Sequence, residues 1–391
     1  MDEKLIPFNR ISFDSGEIAR IKEAVENGHV SGDGPFSKKA EAILSKMHEG
    51  ARVLLTPSCS HALELAARLI GFEPGDEVIV PSFTFVTSVS SFVSHGATPV
   101  FCDIDPMTLG LDLEEAGKLI TPKTKAIVLV HYGGVPANPE GFSRLAQDHG
   151  LILIEDNAHG LGGTSNGKKL GTFGALSTLS FHETKNVSCG EGGALVINDA
   201  QFIERAEILR EKGTDRSRFF RGQVDKYTWV DNGSSWVVSD ILSSILVAQL
   251  GRFSQIQAAR ERLWSRYYEE LSGWATLNGL ILQARYVSHT FHMFYLIFSE
   301  VEYRDAFIAL MKSKGVMAVF HYQPLHKSTV GGRWVEKGID FPVTDRVSAG
   351  LVRLPMFAGL SSAEQTRVIT STKSFSSLPN NLGRDSQDIG Q

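Results

Sequence analysis

The stretch S-F-H-E-T-K-N-V-S-C-G-E-G-G, residues 180–193, sets a single lysine, Lys185, between two apolar runs. The run before it, 175–181, and the run after it, 194–198, have the length and composition of strands, and Gly190, Gly192 and Gly193 supply the turn between them. A lysine placed this way has two readings. On a solvated loop it is an ordinary surface cation. Partly desolvated, it gives up its proton more readily, and the neutral amine becomes a nucleophile toward an aldehyde.

Working outward, the chain upstream alternates regularly. Short apolar runs at 53–55, 78–80, 99–102, 126–130 and 151–154 are separated by helix-period stretches at 59–70, 85–94, 113–120 and 141–149. Strand and helix in strict alternation imply an α/β fold, with a parallel or mixed sheet covered on both faces. Two further helices are expected before it, at 14–27 and 36–48. Downstream, 202–211 reads as a helix and 236–271 as one long helical pattern leading into a smaller domain. That domain has strands at 291–298 and 316–320 and a helix at 303–314. The expected division is a large domain over 1–250 with an N-terminal arm, a small C-terminal domain over 251–374, and a disordered tail over 375–391, where almost nothing apolar is left to bury.

Composition bounds the function. A chain of 391 residues with a formal net charge of -5 is a poor match for a nucleic acid or an anionic membrane. Three cysteines without C-x-x-C spacing suggest neither a disulfide framework nor a zinc site, so no metal is expected. The first residues lack the apolar core of a signal peptide, and no run approaches the roughly 18 apolar residues of a membrane span, so a soluble cytoplasmic protein is expected. Neither G-x-G-x-x-G nor a Walker-type loop occurs, which argues against a dinucleotide or ATP enzyme.

In open α/β sheets, ligands sit at the carboxyl ends of the strands. The residues there include Ser58-Cys59-Ser60, Phe83-Thr84-Phe85, His131-Tyr132 and Asp156-Asn157-Ala158-His159. If Lys185 forms an imine with pyridoxal phosphate, the cofactor needs a phosphate cradle, a carboxylate at its ring nitrogen, an aromatic on its ring and a donor near its phenolic oxygen. Ser58, Cys59 and Ser60 open a helix and can either receive a phosphate or simply cap it. Asp156 is placed to keep the pyridine nitrogen protonated, or else is a solvated loop carboxylate. His159 suits the phenolic oxygen and Phe85 the ring, although a polar strand end and an apolar helix face account for them equally well.

Taken together, G-D-G-P-F (32–36), T-P-S-C-S-H-A-L (56–63), P-S-F-T-F-V-T-S (81–88), E-D-N-A-H-G (155–160) and S-F-H-E-T-K-N with the trailing G-E-G-G resemble the pyridoxal-phosphate sugar-nucleotide aminotransferases of the DegT type. The resemblance runs in order over residues 6–372. It implies the aspartate aminotransferase-like fold (fold type I): a large mixed, mostly parallel sheet domain plus a smaller C-terminal α/β domain. It further implies Lys185 as the imine-forming lysine and Asp156 at the pyridine nitrogen. His159 and Ser180 would lie beside the cofactor's oxygens, Phe85 on its ring, and Ser58, Cys59 and Ser60 at its phosphate.

R-E-K-G-T-D-R-S-R-F-F-R-G-Q-V-D-K-Y-T-W (210–229) and V-F-H-Y-Q-P-L-H (319–326) are similar to one branch of that family, the transaminases of dTDP-4-keto-6-deoxyglucose. That likeness implies transfer of an amine from glutamate to the C4 ketone of a nucleotide-linked sugar, giving a dTDP-4-amino-4,6-dideoxyhexose. A C3 aminotransferase on a dTDP-3-keto-6-deoxy sugar is the alternative, and a cofactor-free regulatory or scaffolding protein is the alternative of another class. Relatives that dehydrate or deoxygenate sugars carry histidine in place of the lysine, so Lys185 speaks against that chemistry. A homodimer with shared active sites is implied, with Arg218, Arg221, Lys226 and Tyr227 available to the sugar diphosphate and His321 to the substrate. Two positions depart from the pattern. Asn157 stands where many relatives have alanine. Val237 stands where many carry an asparagine that reaches the partner's phosphate, a role that would pass to Ser234 or Ser235.

Overall fold

Neighbouring residues along each apolar run enter different cores, as a sheet covered on both faces requires. Val78, Val80, Ala126 and Val128 pack into one cluster, while Ile79, Ile127 and Leu129 pack into another on the opposite face. The computed structural model describes residues 5–285 and 288–376. The runs become strands β1 (Arg52–Thr56), β2 (Glu77–Pro81), β3 (Thr98–Cys102), β4 (Thr124–Val130) and β5 (Ile152–Asp156). A short hairpin, β6 (Thr164–Ser165) and β7 (Lys168–Lys169), leads to β8 (Leu176–Ser180) and β9 (Gly193–Ile197). The large sheet has the order β1-β9-β8-β5-β4-β2-β3. Only β9 runs antiparallel to its neighbours, with Gly193 opposite both Thr56 and Ser180. The carboxyl ends of the other six strands therefore share one edge with the start of β9.

Four helices matter for that edge: α1 (Ser15–Glu26), α2 (Pro35–Met47), α3 (Cys59–Ile70) and α4 (Thr87–Val93). Asp14 and Glu17 close α1 with a capping box. The start of α2 has no side-chain cap of its own; the buried carboxylate of Asp240 accepts from the N–H groups of Phe36 (3.1 Å) and Ser37 (2.7 Å) instead. A Cβ on Gly34 would lie 2.4 Å from Asp240 Oδ2, which explains the second glycine of G-D-G-P. Further helices at Leu113–Lys118 and Pro139–His149 complete the alternation.

The single long helix expected over 236–271 is two helices, Asp240–Gly251 and Phe253–Leu277, and residues 236–239 are not helical. The break falls at Arg252, whose guanidinium is held by Asp14, by Glu17 at 2.9 Å and by the Ser12 carbonyl.

Beyond the break, β10 (Ile281–Leu282), β11 (Tyr295–Ile297), β12 (Val319–Phe320) and β13 (Leu351–Arg353) form an antiparallel sheet of order β10-β11-β13-β12. Two strands are shorter than expected because their backbone groups are claimed elsewhere. Residues 290–292 give theirs to Asn186, Arg260 and Gly134, and Gly315 and Met317 bond to Ile6 of the N-terminal arm. Helices Pro342–Gly350 and Ser362–Lys373 were not anticipated, although Ser361 and Glu364 form a capping box at the second. Phe375, placed in the tail by composition, packs edge-on against Phe298 and Phe307. From 377 onward the expected tail lies outside the described residues. Among the described residues no helix is long and apolar enough to cross a membrane.

Candidate active site

A cavity of about 830 Å³ opens where the strand ends of the large sheet meet the antiparallel sheet. Its floor is Asp156, the last residue of β5, and Lys185 enters from the turn after β8. Burial pushes the Lys185 ammonium down to about 8, while the nearby carboxylate of Asp156 opposes the fall. The lysine is therefore the desolvated amine of the two readings, which is the property a nucleophile needs.

The carboxylate of Asp156 accepts from the Ser88 hydroxyl at 2.6 Å and from the Ala158 N–H at 3.2 Å. Its neighbour on the strand, Glu155, points to the other face, where it is fully buried. There it bonds to His131 at 2.9 Å and accepts the N–H groups of Gly171, Phe173 and Gly174. Burial alone would raise the Glu155 pKa, but the His131 and backbone hydrogen bonds outweigh it and hold it below the usual range. This brace fixes the end of β5 and so the direction of Asp156.

His159 is also in the wall, stacked on His292 with ring centroids 4.2 Å apart. Burial, with Lys185 and Arg353 nearby, keeps its pKa well below 6.5, so the ring is neutral. Its Nδ1 accepts the Gly133 N–H at 3.2 Å, which leaves the proton on Nε2 as a hydrogen-bond donor.

Ser58, Cys59 and Ser60 line the cavity where α3 begins. The Ser58 hydroxyl accepts the His61 N–H at 3.3 Å, so it does cap the helix. The N–H groups of Cys59 and Ser60, in the first turn, have no intrahelical acceptor, a setting that can receive an anion. The approach depends on a glycine, since a Cβ on Gly193 would sit 2.3 Å from the Ser58 carbonyl carbon. Burial pushes the Cys59 thiol up to about 12, so it is no thiolate competitor for the aldehyde. Phe85 stands half exposed beside the cavity with its ring near Tyr322, and Ser180 lies at the end of β8.

These groups meet the requirements of pyridoxal phosphate from the chain's own atoms: an amine, a carboxylate, a neutral imidazole donor, an aromatic face and a helix start kept open by glycine. The buried Thr178 hydroxyl lies on β8 in register with Asp156 and beside the Cys59 thiol.

Several residues in the wall were not anticipated. Ser88 and Thr84 lay inside a motif read for its aromatic. His292 belongs to a segment without a local signal. Arg353 lies on β13, opposite Val319 and Tyr295, with its guanidinium over the Phe8 ring at 4.5 Å. Its Nη2 donates to the Phe320 carbonyl at 3.3 Å and its Nε has no acceptor among the described residues. Burial lowers its pKa, and no carboxylate pairs with it among the described residues. A lone arginine inside the apolar run L-V-R-L-P was the signal available. His321 is brought to the cavity as expected, with Nδ1 2.8 Å from the Tyr132 hydroxyl. Burial depresses its pKa, so it too is neutral.

Arg218, Arg221, Lys226 and Tyr227 do not line the cavity of the single chain. Arg218 pairs with Glu204 at 2.9 Å and Arg221 with Glu207 at 2.6 Å. The segment is ordered by Asp215, which accepts the Thr228 N–H, and carries a helical turn, Arg216–Phe220. Ser234 and Ser235 pair with 209–212, and Val237 packs against Gly32. Asn157 ties the Leu170 carbonyl at 3.1 Å rather than facing the cavity.

The fold and the site define a pyridoxal-phosphate enzyme of fold type I. Residues 12–373 match the DegT/DnrJ/EryC1/StrS aminotransferase family, and the chain belongs to it. Members of this family are aminotransferases that use pyridoxal phosphate. Among solved structures, the chain is similar to the aminotransferase TlmJ from Streptoalloteichus hindustanus, at 28% identity and a TM-score of 0.86 over 94% of this chain and 98% of that one. DesV from S. venezuelae is similar at 27% identity and 0.86, covering 95% and 98%. Spr1654 from Streptococcus pneumoniae, a candidate sugar aminotransferase solved in its PLP form, is similar at 25% and 0.86, covering 94% and 98%.

Proposed function

We propose that this sugar aminotransferase moves the amine of glutamate to the C4 ketone of a nucleotide-linked 4-keto-6-deoxy sugar, dTDP-4-keto-6-deoxyglucose, for glycan or glycosylated natural-product biosynthesis. The amino transfer rests on one observation: the desolvated Lys185 amine shares a cavity with Asp156. The sugar and nucleotide rest on the likeness of 210–229 and 319–326 to that branch of the family. Pyridoxal phosphate, when bound, supplies an electron-withdrawing ring that makes the donor's Cα–H acidic.

The chain's residues do the rest. The Lys185 Nζ takes the proton from the donor Cα and returns one on the way back with the sugar. Asp156 holds a proton at the ring nitrogen, and His159 donates its Nε2–H to the phenolic oxygen. The backbone N–H groups of Cys59 and Ser60 take the phosphate. Arg353 suits the donor, because a guanidinium without a carboxylate partner among the described residues can form a bidentate pair with the carboxylate of an amino acid.

We propose a homodimer, with the segment 212–229 of one subunit facing the sugar diphosphate in the other. The exposed rings of Phe220, Tyr227 and Trp229 favour burial against a second copy. In that arrangement Arg218, Arg221 and Lys226 add positive charge, and Ser234 or Ser235 approaches the partner's cofactor phosphate. We also propose the division into a large domain over 1–250 and a small one over 251–374, and a cytoplasmic reaction.

The test is product analysis by mass spectrometry and NMR after incubation with glutamate and a panel of dTDP- and UDP-keto sugars. A dTDP product aminated at C4 supports the reading. Amination at C3 favours the alternative regiochemistry, and exclusive turnover of UDP sugars removes the nucleotide assignment.

A further inference from the structure

Asp156 is approached by two buried hydroxyls whose arrangement has a direction. Ser88, in the first turn of α4, lies 2.6 Å from Asp156 Oδ2, and Thr84 Oγ1 lies 2.9 Å from Ser88 Oγ. Thr84 is 2% and Ser88 1% exposed. Neither serves the helix, because α4 opens at Val86 with no side-chain cap. An ionised carboxylate only accepts, so the one proton of Ser88 is committed to Asp156. The proton between the two hydroxyls must then come from Thr84. The chain runs one way: Thr84 to Ser88 to Asp156.

With Ala158 N–H on Oδ1 and Ser88 on Oδ2, each carboxylate oxygen retains acceptor capacity. The other ionisable groups near enough to interact with Asp156 are Lys185, Cys59 and Tyr322. We infer that Thr84 and Ser88 are positioning residues that fix the plane of the Asp156 carboxylate and keep the proton it shares with the cofactor's ring on the nitrogen.

The physical reason is a difference between two states. A hydroxyl donating to a carboxylate makes a charge-assisted bond, roughly twice as strong as a neutral one. If the proton passed from the ring to Asp156, that advantage would be lost. The chain therefore opposes the transfer. This inference rests on the reading of Asp156 as the ring's partner.

The test uses the holoenzyme reconstituted with pyridoxal phosphate labelled with 15N in the ring, for Ser88→Ala, Ser88→Thr, Thr84→Val and wild type. The ring-nitrogen chemical shift reports its protonation directly, and the single-turnover rate with glutamate and cofactor affinity are measured alongside. We expect a pyridinium shift in wild type and in Ser88→Thr. Ser88→Ala should move toward neutral pyridine, with the glutamate half-reaction slowed about ten- to a hundredfold, the worth of a hydrogen bond to a charged group. Thr84→Val should move the same way by less, and it carries the test if Ser88→Ala fails to fold. A pyridinium shift and wild-type rate in both Ser88→Ala and Thr84→Val would overturn the inference. So would a folded Ser88→Thr that behaves like Ser88→Ala. A wild-type ring nitrogen without its proton would instead remove the role of Asp156, and the inference with it.

Discussion

The neutral amine of Lys185 should be available near neutral pH. An ordinary lysine, with a pKa of about 10.4, is neutral in only about one molecule in 800 at pH 7.5. Burial pushes Lys185 down to about 8, which makes roughly a quarter of the molecules reactive at that pH, a gain of about 200-fold. The perturbation is pH, applied to cofactor-free enzyme mixed with excess pyridoxal phosphate, and the assay is the rate at which the yellow, borohydride-fixable adduct appears. The rate should rise to half its maximum near pH 8, and Asp156→Asn should move that midpoint down, because one negative charge favouring the ammonium is gone.

Stability of the cofactor-free protein should follow with a defined sign. Between the folded pKa of about 8 and the ordinary lysine value of about 10.4, the unfolded chain holds a proton that the folded chain has lost. Stability therefore rises with pH across that window, by at most about 3 kcal/mol, and Lys185→Ala should lack the rise. A midpoint above about pH 10, the ordinary lysine range, together with no difference between wild type and Lys185→Ala, would refute the desolvation argument.

Asp156→Asn should retain cofactor but lose turnover by about 10²- to 10³-fold, since an amide cannot hold the pyridinium and a buried charge left unpaired costs about 3–5 kcal/mol; steady-state kinetics with absorbance of bound cofactor checks both. Arg353→Ala should raise the KM for glutamate about ten- to a hundredfold, while reaction with an amine donor lacking a carboxylate changes little. Gly193→Ala places a Cβ 2.3 Å from the Ser58 backbone, so it should destabilise the fold by about 1–3 kcal/mol and weaken cofactor affinity, read by thermal melting and equilibrium dialysis.

The large sheet was legible in the sequence because strands covered on both faces leave continuous apolar runs, and their ends mark the site edge. Lys185, Asp156, His159, Phe85 and Ser58–Ser60 all come together there. The antiparallel sheet was less legible for an equally physical reason. Strands of two or three residues such as β12 and β13 are too short to display a period, and 290–292 spend their hydrogen bonds on Asn186 and Arg260, far away in sequence. Arg353 was missed with them. The contact that shapes G-D-G-P, between Gly34 and Asp240, joins residues more than 200 positions apart and has no local trace.

The same limit explains 212–229, where composition supplied the cations but not their partners. Glu204 and Glu207 neutralise Arg218 and Arg221 within the chain, so a sugar diphosphate must compete for them. Arg218 and Glu204 are both about half exposed, and a pair of that kind contributes little, about 0–1 kcal/mol, so a dianionic ligand can displace it at small cost, whereas Arg221 is held by the buried Glu207, which also pairs with Arg52. Lys226 has no such competitor among the ion pairs of the described residues. If the segment serves the substrate of a second copy, Lys226 should therefore contribute more to diphosphate affinity than either arginine, although an arginine binds phosphate with better geometry.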